Sequence, residues 1–146
     1  MARPVRDACG QATIKPDFEK EVAGHAITAN PNQVITYWWH EQRKQLREMR
    51  SAIHACIMAL MAGAESEIVI LGRCHGGDSD DRLQIALIVD EASDFTPQQW
   101  WDRYEPRMRR QTRRLVRRHR DKIERVAKAL LERETLQPDE VDALMA

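Results

Sequence analysis

Apolar residues recur at helical spacing along most of this 146-residue chain. From Leu46 to Ala64, the residues Leu46, Met49, Ile53, Ile57, Leu60 and Met61 make a broad stripe. That spacing predicts an amphipathic helix, with its methionines as core filler. Asp78 or Ser79 caps a further helix to about Ala92, with Leu83, Ile85, Ala86, Leu87, Ile88 and Val89 mostly buried. Thr96-Pro97-Gln98-Gln99 has the form of a capping box with proline at the first position. The helix it starts meets Pro106, which kinks or restarts it. The stripe then continues through Met108, Leu115, His119, Ile123, Val126 and Leu130. A last helix starts at Pro138 and carries Val141, Leu144 and Met145. Upstream, Asp17 reads as the N-cap of a first helix whose buried stripe is Phe18, Val22, Ala26 and Ala29, ended by Asn30-Pro31-Asn32. Val34 to Trp39 is β-like. The pattern predicts a mainly α fold of about five helices with a small β element near residues 33–39.

Composition changes this picture in few places. Residues 1–15 have no sustained period and read as a loose tail, leaving 16–146 as one domain. The longest uninterrupted apolar-plus-Gly run, Ala55 to Ala64, is closed by Glu65 and is too short to span a bilayer. Met1 to Lys20 is polar and lacks the apolar segment of a signal peptide, so the expected location is cytoplasmic, with no membrane partner. Cys9, Cys56 and Cys74 have no paired spacing and are expected to be reduced thiols.

The formal charge of +0 is unevenly spread. Residues 65–102 hold nine acids and two Arg, a net −7. Residues 103–125 hold ten Arg and one Lys against three acids, a net +8. Arg103, Arg107, Arg110, Arg114 and Arg118 form a stripe of their own, expected to be a solvated face paired with the acidic middle of the chain. No aromatic residues interleave it, so it is no stacking platform for single strands, and nucleic acid is not the expected partner.

The chemistry is concentrated in Glu21-Val22-Ala23-Gly24-His25. In the motif H-E-x-x-H, two histidines one helical turn apart bind zinc and the glutamate is the general base. Here the second histidine stands as His25, Glu21 occupies the first ligand position and Val22 the base position. Ala23-Gly24 and Ala26 match the version H-E-A-G-H-A. Further on, Gly77-Asp78-Ser79-Asp80-Asp81-Arg82-Leu83-Gln84 matches T-G-A-S-N-D-L-E-R-A-T, and Ala129 to Leu136 matches A-L-L-E-K-E-T-L. Gly63-Ala64-Glu65-Ser66-Glu67 corresponds loosely to G-R-A-A-E. In this order, over residues 17–146, the chain resembles the peptidase domain of FtsH-type zinc metalloproteases.

The resemblance implies an FtsH peptidase-like helical domain and a metal site of Glu21, His25 and Asp81. That set has two carboxylates and one imidazole, a harder set than zinc prefers and open to Mg or Mn. It also implies lost catalysis. Val22 cannot accept the proton that general-base help removes, a contribution of about 10²–10⁴-fold. There is no room in the chain for the membrane anchor or the ATPase module of that family. The expected protein is therefore catalytically impaired and acts by binding a peptide or protein partner, with zinc optional. The alternative is a metal-dependent peptidase or hydrolase using Glu21, His25 and Asp81, or a rearranged site drawing on His40, Cys74 or His75. The family assembles as rings, so a homo-oligomer is compatible with the resemblance.

Overall fold

The structure is a computed structural model that describes residues 9–19, 25–28, 46–91 and 98–146. Its elements are β1 (Cys9–Thr13), β2 (His25–Thr28), α1 (Leu46–Leu71), α2 (Ser79–Glu91), α3 (Gln98–Arg118), α4 (Arg120–Arg133), β3 (Thr135–Leu136) and α5 (Pro138–Met145). The described chain is mainly α, as the periodicity predicts, with a small antiparallel sheet. The chain divides into two compact units. The first is Met1–Asn30 with His119–Ala146, and the second is Pro31–Arg118. The expected boundary between residues 15 and 16 falls inside the first unit.

The first unit holds the sheet, in the order β2-β1-β3, with α4 and α5. Two expectations fail here. The expected loose tail contains β1, the central strand, which pairs antiparallel with β2 (Thr13 opposite His25, Ala12 opposite Ala26) and with β3 (Ala12 opposite Leu136). The expected first helix is absent at its C-terminal end, because His25–Thr28 is a strand. The physical reason is long-range pairing. Ile27 and Thr28 are β-branched and lose little in an extended conformation, and β1 supplies the hydrogen-bond partners that a local helix would otherwise provide. Phe18, expected in a buried stripe, is 87% exposed. Asp17 does not cap a helix; its carboxylate accepts from the Glu19 N–H two residues on (3.2 Å), in the manner of an Asx-turn. The β element expected near 33–39 lies outside the described residues.

Thr13 fastens β1 to the end of α4: its hydroxyl reaches the Glu134 carbonyl (3.1 Å) and the Thr135 hydroxyl (2.9 Å). Glu134 stands in the left-handed region, φ 63°, and so turns the chain from α4 into β3. The core of this unit is Ala129, Leu136 and Val141, with Ala12, Val126, Leu130 and Leu144 packed against it. α5 starts where expected: Pro138 takes the first position, and Gln137 and Glu140 form a reciprocal capping box.

The second unit packs α1, α2 and α3 around Ile57, Met61, Ile85, Ile88 and Met108. α1 continues well past Ala64, through Glu65 and Ile68, until Gly72 (φ 82°) ends it with its N–H on the Ile68 carbonyl. Within it, Ile53–Leu71 is by length and composition apolar enough to cross a membrane, with mean hydropathy 1.6. Its Ile57 and Met61 belong to the core instead, and Glu65 is fully buried. α2 buries only Ile85 and Ile88; Leu83 and Leu87 are exposed, contrary to the expectation that most of its apolar residues are covered. α3 runs through Pro106 without ending, and stops at Arg118. The single long stripe expected across His119 is thus two helices, because His119 leaves helical geometry at φ −109°, ψ 17°.

Candidate functional site

The three residues expected to hold a metal are placed unequally. Glu21 lies outside the described residues, as does Val22. His25 begins β2, in the first unit. Asp81 lies in the first turn of α2, in the second unit. His25 lies in a strand, so the one-turn helical spacing expected between Glu21 and His25 has no helix to rest on at His25. Among the described residues, no three His, Cys, Asp or Glu side chains stand close enough to share a metal ion.

Asp81 has the more informative surroundings. α2 starts at Ser79, with the Arg82 N–H bonded to the Asp78 carbonyl (2.9 Å) and Asp78 paired with Arg82 (3.4 Å). This puts Asp80 and Asp81 at the positive end of the helix dipole. Asp81 turns toward α1, where its Oδ2 lies 3.8 Å from the position a Cβ would take on Gly63. Burial, and then the neighbouring charges of Asp78 and Asp80, hold its carboxyl above the usual value of 3.8. A cation would relieve that crowding. The donor set as a whole does not fit a hydrolytic zinc centre, because Val22 stands at the position of the general base and two of the three ligands are carboxylates.

Two residues after Gly63, Glu65 is a charge inside the core. It is 0% exposed and is held by Arg113 Nε at 2.7 Å and by Arg109 Nη1 at 3.4 Å. Arg109 also pairs with Glu105 (2.9 Å). Burial works against the Arg109 charge, but bonds and attraction from Glu105 and Glu65 outweigh it and raise its pKa above the ordinary arginine value. A buried carboxylate is tolerable only with this kind of compensation. Beside it the Thr112 hydroxyl is buried and has no partner among the described residues.

Beside this cluster on α1 and α3 is a hydrogen-bonded polar group. His54 donates from Nε2 to Gln111 Oε1 (3.0 Å), and its Nδ1 accepts from the Tyr104 hydroxyl. Burial raises the Tyr104 pKa, an effect that Arg107 partly offsets. Cys56, half-buried, has its thiol pKa raised by burial and is no activated nucleophile. In the loop after α1, His75 is occupied: its Nε2 accepts from Arg73 (3.2 Å), its Nδ1 is 3.7 Å from Glu67, and its backbone N–H donates to Glu67 Oε2 (2.6 Å). Cys74 beside it is exposed. His40 lies outside the described residues.

α3 carries two sets of arginine. Arg109 and Arg113 turn to the core acid. Arg103, Arg107, Arg110, Arg114, Arg117 and Arg118 are all exposed, and none makes a hydrogen bond or ion pair with another described residue. The expected pairing of this stripe with the acidic middle of the chain is not seen among the described residues. Periodicity alone marked five of these six. It missed Glu65 with Arg109 and Arg113, although a glutamate within the apolar helix Ile53–Leu71 signalled a need for cations.

Taken together, these features define a mainly α protein with a small antiparallel sheet, a buried acid–arginine cluster and a carboxylate crowded at a helix start. Neither a comparison with protein-family models nor one with curated proteins finds a match.

Proposed function

We propose that this chain is a degenerate relative of the FtsH-type zinc peptidase domain that binds a peptide or protein partner without cutting it. The observation that carries this reading is Val22 in the position of the general base, between Glu21 and His25 at the two ligand positions. A metal held there would polarise a substrate carbonyl, but no adjacent group would take the proton from an attacking water. The order of the matching segments, from Glu21 through Asp81 to Leu136, supports the family reading. The half-buried Asp81 against Gly63 is compatible with descent from a ligand position.

The test is elemental analysis of protein purified without chelators, combined with an unfolded fluorescent protein substrate. The expected result is retention of the uncut substrate, no cleavage, and zinc well below one per chain. A second reading, a metal-dependent hydrolase on Glu21, His25 and Asp81, is favoured by the crowding that raises the Asp81 pKa. Cleavage that disappears with stoichiometric metal in both His25→Ala and Asp81→Ala would establish it and end the binding-only reading.

A further inference from the structure

We propose that the solvent face of α3 is a docking surface for the phosphate backbone of double-helical nucleic acid. This rests on the arginine face alone and is independent of the peptidase resemblance. At ~100° per residue, Arg103, Arg107, Arg110, Arg114, Arg117 and Arg118 all fall within about 60° of one line along the helix. At 1.5 Å per residue they span about 22 Å. The opposite face of the same helix carries Trp101, Tyr104, Met108, Thr112 and Val116, which are buried or half-buried in the second unit. The orientation of the face is thus fixed by packing.

Three features identify the partner. First, no described carboxylate neutralises the six guanidinium groups, whereas the two arginines that do have an acid, Arg109 and Arg113, sit off this line. Second, all six are arginine. The planar guanidinium presents a fork of donors that matches phosphate oxygens two at a time. Third, between Arg103 and Arg118 the only other residue within the face is Pro106, which is exposed. A protein-binding face is expected to bring aromatic or aliphatic anchors at its centre, and this one has none. Between Arg103 and Arg118 it also has no aromatic platform on which unpaired bases would stack, which favours duplex over single strand. A duplex offers one phosphate per ~1.7 Å of axis, so a 22 Å face meets enough of them on one side for five or six contacts.

The experiment is fluorescence anisotropy of the full chain with labelled duplex DNA and duplex RNA of random sequence, between about 50 and 200 mM salt. Five to six neutralised phosphates predict a slope of about −5 for log K against log salt, a loss of roughly 1,000-fold across that range. The variant Arg107→Gln/Arg110→Gln/Arg114→Gln alters only exposed side chains, and should lower the slope by about 3 without changing the circular dichroism. Arg120→Gln, in the first unit and paired with Glu124 (2.7 Å), should change neither slope nor affinity. Three results would overturn the proposal: a duplex affinity that ignores salt, a triple variant that binds as well as the parent, or tighter binding to polyglutamate, single strands or anionic vesicles than to either duplex.

Discussion

Reversing one charge on the arginine face should weaken nucleic-acid binding and stabilise the fold. Arg110 stands three residues after Arg107, three before Arg113 and four before Arg114 on α3. Residues at these spacings are surface neighbours, and each like-charge pair destabilises a helix by about 0.2–0.5 kcal/mol. Removing three such pairs in Arg110→Gln should therefore return about 1 kcal/mol at low ionic strength. Arg110→Glu also turns them into attractive pairs and should roughly double the gain, to about 2 kcal/mol. Screening at physiological salt reduces this to about 1 kcal/mol. Competing effects are small. Glutamate and arginine have similar helix propensity. Arg110 lies outside the last turn, where the dipole would oppose a carboxylate. Its side chain is exposed, so no packing is lost. In a chain of this size, about 1 kcal/mol moves Tm by about 2–4 °C. Thermal melts followed by far-UV circular dichroism should rank Arg110→Glu above Arg110→Gln above the parent, with gaps that close as salt is added. A glutamate variant that melts below the parent at low salt would show that the arginines are already neutralised, and the argument for a free anion-binding face would fail with it.

Three further outcomes follow from the second unit. Arg113→Met leaves the fully buried Glu65 with only the 3.4 Å contact to Arg109, and should destabilise by about 2–3 kcal/mol in urea unfolding. Arg109→Met keeps the 2.7 Å bond and should cost about 1 kcal/mol, so equal losses would refute the assigned roles. Asp81 has a folded pKa above its unfolded value of about 3.8, so the folded state holds the proton more tightly and stability falls as pH rises through that window. Asp81→Asn should then raise Tm at neutral pH, with the gain vanishing below about pH 4; a lower Tm at pH 7 would mean that the helix dipole outweighs the crowding. Tyr104→Phe removes the hydroxyl that His54 Nδ1 accepts from, and should cost about 1 kcal/mol without changing the circular dichroism, as checked by chemical denaturation.

The helices of the second unit and α5 were open to reading from the chain because their signals are local. Ser79 opens α2 and Pro138 with the Gln137–Glu140 box opens α5, whereas α1 runs past its expected end at Ala64 to Gly72. The sheet was closed to such reading. β1 is held by partners more than ten residues away on one side and more than 120 on the other, and nothing in Cys9–Thr13 by itself distinguishes a strand from a tail. The stripe Phe18, Val22, Ala26 and Ala29 fits a helical period, yet four positions cannot outweigh the pairing that draws His25–Thr28 onto β1. Among the described residues the number of helices is near the expectation for partly compensating reasons: the expected first helix gives way to β2 at His25, and the expected long one breaks at His119.

The arginines of α3 show where a charge pattern becomes readable. Arg109 and Arg113 are four residues apart, and so are Arg103 and Arg107, or Arg110 and Arg114; spacing therefore cannot say which pair is buried. The deciding residue is on another helix. Glu65 interrupts the most apolar stretch of the chain, in a helix whose Ile57 and Met61 are core, so its carboxylate must enter the core with them. An unpaired carboxylate there would be expelled or protonated, and the neighbouring helix has to bring cations to that level. Once Arg109 and Arg113 are assigned to that task, the six exposed arginines of α3 pair with no described acid. Their mutual repulsion is not relieved by any described carboxylate, which ties the stability of Arg110→Glu and the salt dependence of duplex binding to one cause.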